Sequence, residues 1–174
     1  VREVALEIAV SVATTSEDLD QVRLLMRAFV AWHKERHSDD LTLIDAYFDQ
    51  TEFEAELASL PGKYTRPSGQ LLLARFGEKA AGCVALKRID TERCEMKRMF
   101  VYPEFHGKGI GTALAKAIIE HARTMKFHFM LLDTSIRQKE AQRLYANQGF
   151  LPIEPYYDLS ENLRDWLVFM KLDL

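Results

Sequence analysis

Between Gln70 and Val101 three apolar stretches, residues 71–76, 81–89 and 94–101, follow one another with only Gly77-Glu78 and the neighbourhood of Thr91-Glu92 between them. Parallel neighbours in a sheet need a crossover of about a dozen residues or more, and these turns are too short to hold one. The three runs therefore pair as an antiparallel meander, which removes the doubly wound parallel folds from consideration. Around the meander the hydrophobic period changes. Val4, Leu6, Ile8, Val10 and Val12 alternate with Ala5, Glu7, Ala9 and Ser11, as in a half-buried strand. Thr15 and Asp18 form a capping-box pair ahead of Leu19, Val22, Leu25, Met26, Phe29 and Val30, whose spacing predicts a helix through about His37. A second helical stretch over 43–60, with room for a break, stops at Pro61-Gly62, and Pro67 lies in the loop that follows. After the meander come a helix over 109–125, a short strand over 129–133, and a helix over 137–148 ended by Gly149. Two strands, 150–153 and 166–172, close the chain on either side of a polar stretch, 158–165. The expected order is β-α-α-β-β-β-α-β-α-β-β: an α/β (α+β) fold with a mixed, mostly antiparallel central sheet and flanking helices, as one domain over 1–174.

Composition narrows the function classes. With 174 residues, 48% hydrophobic and 28% charged, the chain can bury a sizeable core, and disordered or collagen-like classes are excluded. No apolar run approaches the length needed to span a bilayer, and the N-terminus lacks a basic segment followed by an apolar core, so neither a membrane protein nor a secreted precursor is expected. A mature chain with its leader removed would read the same way. Cys83 and Cys94 make neither a metal pattern nor a disulfide framework, which suits a cytoplasmic location and no metal site. The net charge of −3 speaks against a nucleic-acid binder. That sum conceals a division: residues 1–60 carry 13 acidic and 5 basic side chains, residues 95–140 carry 5 acidic and 8 basic. The first part is cation-seeking and the second anion-seeking, unless both are simply solvated faces.

His106-Gly107-Lys108-Gly109-Ile110-Gly111-Thr112 falls between a predicted strand and a predicted helix. Glycines let backbone N–H groups approach an anion, and the helix start adds partial positive charge, so the natural ligand is a phosphate; a tight structural turn would use the same glycines. A Walker loop is excluded, because Lys108 precedes the last two glycines instead of following them. The dinucleotide fingerprint fails too, since its third glycine would fall on Thr112 or Leu114 and an antiparallel meander is not a Rossmann unit.

The stretch CEMKRMFVYPEFHGKGIGTALAKAIIEHA, followed by LLDTS and then AQRLYANQGF, resembles the GNAT superfamily of acyl-CoA-dependent N-acyltransferases over residues 94–150, and the flanking elements agree with its architecture. The resemblance implies acetyl-CoA as cosubstrate, with its pyrophosphate on the amides of a Gln/Arg-x-x-Gly-x-Gly/Ala loop. Gly109 and Gly111 match that loop, and His106 stands where Gln or Arg is expected. Met99, Phe100 and Val101 would hold the pantetheine arm, with the Val101 N–H as oxyanion donor. Gln138, at the start of the next helix, is counted with the coenzyme-binding residues, as are Gly107, Lys108, Ile110 and Thr112 of the loop, with Lys108 near a phosphate.

The implied chemistry is attack of a primary amine, from a small molecule or peptide, on the thioester within a ternary complex. Tyr145 stands where the family has a tyrosine pointing at the coenzyme sulfur, and its phenol would protonate the leaving thiolate. Glu95, eleven residues before His106, has the spacing of a catalytic glutamate in some members, and strand parity groups it with Lys97, Met99 and Val101; it would accept the amine's proton unless it is only an ion-pair partner of Lys87 or Arg98. Glu35, Asp39, Asp40, Asp45, Asp49, Glu52, Glu54 and Glu56, in the helices expected to wall the acceptor site, favour a cationic acceptor. Trp32, Tyr47, Phe48, Tyr156 and Tyr157 offer aromatic surfaces there. The alternative is a non-catalytic coenzyme-A-binding sensor of the same fold, and a homodimer stays open.

Overall fold

In the computed structural model, residues 6–174 are described; Val4 and Ala5 of the predicted first strand lie outside them. Strand β1 (Ile8–Val12) leads through the Thr15–Asp18 capping box into helix α1 (Ser16–Arg36). The second helical stretch divides into α2 (Leu41–Tyr47) and α3 (Gln50–Ser59), because the Asp49 side chain accepts from the Glu52 N–H and caps a new helix start. The meander follows as β2 (Gly69–Phe76), β3 (Lys79–Arg88) and β4 (Arg93–Val101). Then come α4 (Ile110–Thr124), β5 (Phe129–Ser135), α5 (Lys139–Asn147), β6 (Leu151–Ile153), α6 (Glu161–Trp166) and β7 (Leu167–Asp173). The short helix α6, capped by Ser160, occupies the polar stretch that periodicity left as a connection.

The strands form one sheet in the order β1-β2-β3-β4-β5-β7-β6, antiparallel except between β4 and β5. That parallel pair shares only three positions, Arg93 with Phe129, Cys94 with Met130 and Glu95 with Leu131. Beyond them the two strands part. One face of the sheet packs on α4 and α5 through Leu72, Val84, Ile118 and Met130; the other packs under the N-terminal helices through Val22, Met26, Leu71 and Phe100. None of the described helices is long and apolar enough to cross a membrane.

The strand that corrects the sequence reading is β4. Lys97 pairs with Ala85 and Phe100 with Cys83, so Arg98 and Met99 together face the single residue Val84, a β-bulge with Arg98 at φ 58°. A bulge shifts the alternation by one. Glu95 and Lys97 therefore lie on the face of the N-terminal helices, whereas Met99 and Val101 pack on the α4 face, and the expected grouping of the four on one side does not hold.

Ile118 in α4 is fully buried against the sheet, whereas Leu24 in α1 is 55% exposed. Ile118→Ala is expected to lower the unfolding free energy by about 2–5 kcal/mol, through lost burial and the cavity left behind. Leu24→Ala should stay within about 0.5 kcal/mol of the parent in the same denaturant titration.

Candidate active site

The loop before α4 is fixed from both sides. Phe105 is buried with its ring 5.9 Å from that of Phe76, and the His106 imidazole Nε2 lies 3.0 Å from the Val101 carbonyl oxygen. His106 thus ties the loop to the end of β4, which gives a use to the residue that departs from the family pattern. Gly109 caps α4 at φ 84°, a left-handed conformation that a side chain rarely adopts. The Ala113 N–H closes the first turn on the Gly109 carbonyl at 3.0 Å, and the amides of Ile110, Gly111 and Thr112 keep no partner within the helix. A Cβ placed on Gly107 would meet nothing within 4 Å, so the backbone here borders open space.

That space is a cavity of about 390 Å³ between the loop, β4, α5 and the C-terminal half of α1. Met99, Phe100, Val101, His106, Gly107, Gly109, Ile110, Gly111, Thr112 and Gln138 all line it. Lys108 does not: its ammonium sits 5.3 Å from the centre of the Phe76 ring. Trp32 and Arg36 form the α1 side of the opening, where Arg36 bonds to Glu140 of α5 at 2.8 Å.

Where β4 and β5 part lies a narrow channel of about 50 Å³, which shares Met99, Gln138 and Phe29 with this cavity. Tyr145 lines the channel. Its hydroxyl has no hydrogen-bond partner among the described residues, and burial, then the nearby Asp133 carboxylate, push its pKa up, so the phenol is protonated at neutral pH. His33 of α1 is 2% exposed, with Nδ1 unpartnered; burial first, then the neighbouring His37, lowers its pKa to about 4 and keeps the ring neutral.

On the far side the channel shares Tyr47, Phe48, Lys97 and Arg98 with a second cavity, of about 480 Å³, under α2, α3 and the segment before α6. Glu95 lines this second cavity and not the one beside the glycine loop. It is 4% exposed, accepts from the Tyr156 hydroxyl at 2.5 Å, and pairs with Lys87 at 3.3 Å and Lys97 at 3.8 Å. The Asp133 carboxylate accepts from the hydroxyls of Tyr47 and, at 2.5 Å, Tyr157. Sequence reasoning missed Asp133 and Lys97 as site residues. The available signal was a lone carboxylate inside an apolar run, Phe-Met-Leu-Leu-Asp.

The acidic residues of the first 60 do not form one wall. Asp45 pairs with Lys34 and Glu54 with Arg27, while Asp40 is held by Arg137 and the Trp166 indole. Of the eight, Asp49, Glu52 and Glu56 line the second cavity. Glu56 is itself engaged by Arg98 at 2.8 Å and Lys63 at 3.0 Å.

Known proteins resemble this chain in sequence and in fold. The family model described as Acetyltransferase (GNAT) family matches residues 23–150. This chain belongs to the GNAT family. An uncharacterised N-acetyltransferase of Schizosaccharomyces pombe is 33% identical to it over 169 residues, covering 96% of this chain and 95% of that one. An acetyltransferase structure from Streptococcus agalactiae superposes with a TM-score of 0.71 at 24% identity, covering 96% of this chain and 98% of that one. The PaiA N-acetyltransferase of Thermoplasma acidophilum, in complex with coenzyme A, has a TM-score of 0.72 at 16% identity, covering 97% and 100%. The GNAT chain is accordingly an acyl-CoA-dependent acetyltransferase.

The Glu56–Arg98 pair yields a pH prediction. Burial alone would raise the Glu56 pKa, but Arg98, with Lys63 and Tyr64, holds it at about 2, below the ordinary 4.5. A carboxyl depressed in the folded state contributes stability that is complete above about pH 4.5 and lost as pH falls toward 2. Glu56→Gln should therefore be less stable than the parent at pH 7, and the gap between their denaturation midpoints should close between pH 4.5 and 2.

Proposed function

We propose that this protein moves the acetyl group of acetyl-CoA to a primary amine of a small molecule or peptide, the whole chain acting as one acyltransferase domain and both substrates being held at once at opposite ends of the channel. The observation that carries the reading is the narrow channel lined by Tyr145, which shares lining residues with the glycine-loop cavity on one side and with the polar cavity on the other.

When bound, acetyl-CoA supplies an acetyl group activated as a thioester. The Ile110, Gly111 and Thr112 amides, favoured by the start of α4, hold the pyrophosphate. The β5-facing edge of β4 beyond Glu95 has no ladder partner, so Met99, Phe100 and Val101 offer backbone groups to the pantetheine arm, and Gln138 completes that wall. The Val101 N–H donates to the carbonyl oxygen as negative charge develops there. An amine arriving as an ammonium must first lose a proton, which Glu95 accepts directly or through water. The amine nitrogen then bonds to the acetyl carbon as the carbon–sulfur bond breaks, and Tyr145 protonates the departing sulfur and regains its proton as the new amide nitrogen loses one. An ammonium and a thioester thus become an amide and a thiol, with one proton released to solvent.

Two variants separate binding from chemistry. A Cβ on Gly111 would meet Leu144 Cδ2 at 3.4 Å, so Gly111→Val adds bulk in the floor of the coenzyme-side cavity without a positive-φ penalty. Calorimetry should show its affinity for acetyl-CoA reduced by about tenfold or more, with the melting temperature nearly held. Tyr145→Phe should bind acetyl-CoA as the parent does, yet release free thiol about 10²–10⁴-fold more slowly with a good amine acceptor. Unchanged affinity in the first and unchanged turnover in the second would remove both assignments.

A further inference from the structure

Lys97 on β4 and Asp133 on β5 each lie two residues beyond the last paired position, Glu95 with Leu131. Had the ladder continued they would be direct cross-strand neighbours. Because the strands have parted, both line the channel without a direct ion pair, linked only through the Tyr47 hydroxyl, which donates to Asp133 and lies 3.4 Å from the Lys97 ammonium. Asp133 has no cation within 4.0 Å among the described residues, and its two phenol donors leave each carboxylate oxygen with acceptor capacity. Lys97 is only loosely held, 3.8 Å from Glu95 and 3.4 Å from the Tyr47 hydroxyl, with 15% of its side chain exposed. The other charges nearby are matched: Glu56 by Arg98 and Lys63, Glu95 by Lys87 and the Tyr156 hydroxyl.

The junction of channel and acceptor cavity therefore presents one anion and one cation that share a phenol but form no direct ion pair. A simple amine would meet Asp133 favourably and Lys97 unfavourably, and a simple carboxylate the reverse. A ligand carrying both charges a short distance apart matches the pair, and being neutral overall it avoids the cost of burying a net charge. We propose that the acetyl acceptor is an α-amino acid, its ammonium received by Asp133 and its carboxylate by Lys97. Asp133 lines the channel beside Tyr145, which sets the nitrogen at the thioester end, while the aromatic and aliphatic walls of the 480 Å³ cavity, among them Phe53 and Leu163, take the side chain. Burial depresses the Lys97 pKa and Asp133 is the charge that most opposes that shift, so the two sense each other across the gap. The inference rests on the acetyl-transfer reading and narrows its acceptor.

The test is thiol release from acetyl-CoA with each protein amino acid beside its carboxamide and its decarboxylated amine. For the best amino acid, kcat/KM should exceed that of its carboxamide by about tenfold or more, since a site built for a charged group rejects the analogue that lacks it. Lys97→Met should bring that ratio close to one, and Lys97→Arg should keep a preference for the carboxylate. Should Lys97→Met not fold, the ratio in the unaltered protein still decides. Calorimetry with the free amino acid against its carboxamide and its N-acetyl derivative, in the absence of coenzyme, gives an independent readout in which the form carrying both charges should bind most tightly. If carboxamides and decarboxylated amines serve as well as amino acids, the proposal is overturned and acetyl transfer stands. If acetyl-CoA binds but no acceptor releases thiol, both are overturned.

Discussion

The site is arranged around the bulge at Arg98. An arginine at positive φ is costly, and here its side chain makes the conformation worth keeping: the guanidinium grips Glu56 of α3 with two nitrogens and lies over the rings of Phe48 and Phe53. Burial would by itself disfavour the charge, but Glu56 holds it firmly in place. The extra residue bends β4 and moves every later side chain to the opposite face. Met99 and Val101 are thereby delivered to the cavity bordered by the glycine loop, while Lys97 and Arg98 stay with the polar cavity on the other side. In a regular strand Arg98 would turn to the α4 face, and Met99 and Val101 would share the face of Lys97.

Much of the architecture is legible in the residues, and the exceptions have physical causes. The meander and the Thr15 capping box follow from local pattern, because period and cap chemistry act over a few residues. The split between α2 and α3 depends on Asp49, whose capping bond forms only once the chain has turned there. The bulge leaves no signature, because the left-handed position is held by a distant carboxylate rather than by a glycine. For the same reason the grouping of Glu95 with Met99 could not be corrected from sequence parity. The glycine loop was readable as backbone chemistry, and ten of the thirteen expected site residues line one cavity. Where the Lys108 ammonium lies was not readable, being set by Phe76 in a different strand. Asp133 was visible as an oddity, but its meaning depends on Tyr47 and Tyr157, 86 and 24 residues away.

The charge division of the chain has a less direct meaning than its totals suggest. Part of the acidic charge of the first 60 residues goes into ties that hold helices together or to the rest of the fold: Asp18 with Arg75, Glu54 with Arg27, and Asp40 with Arg137 and Trp166. Exposed members of this set are worth little individually, whereas the Asp40 link fastens the turn after α1 to the start of α5 and the end of α6, next to the channel. Counting charges by segment measured the wrong quantity. What an approaching ligand meets is the remainder left when these pairs have been closed.

The sheet is continuous only nominally. Its seven strands amount to two half-sheets, β1 to β4 and β5 with β7 and β6, sharing three rungs near one end. Such a seam has the character of a partly opened zipper. The backbone amides along it beyond Glu95 and Leu131 are the ones with least to lose by exchanging with solvent, although they sit at the centre of the molecule and not at its margin. In this protein a gap in the hydrogen-bonded framework lies within the sheet and not at its edge, and the channel lined by Tyr145 occupies it.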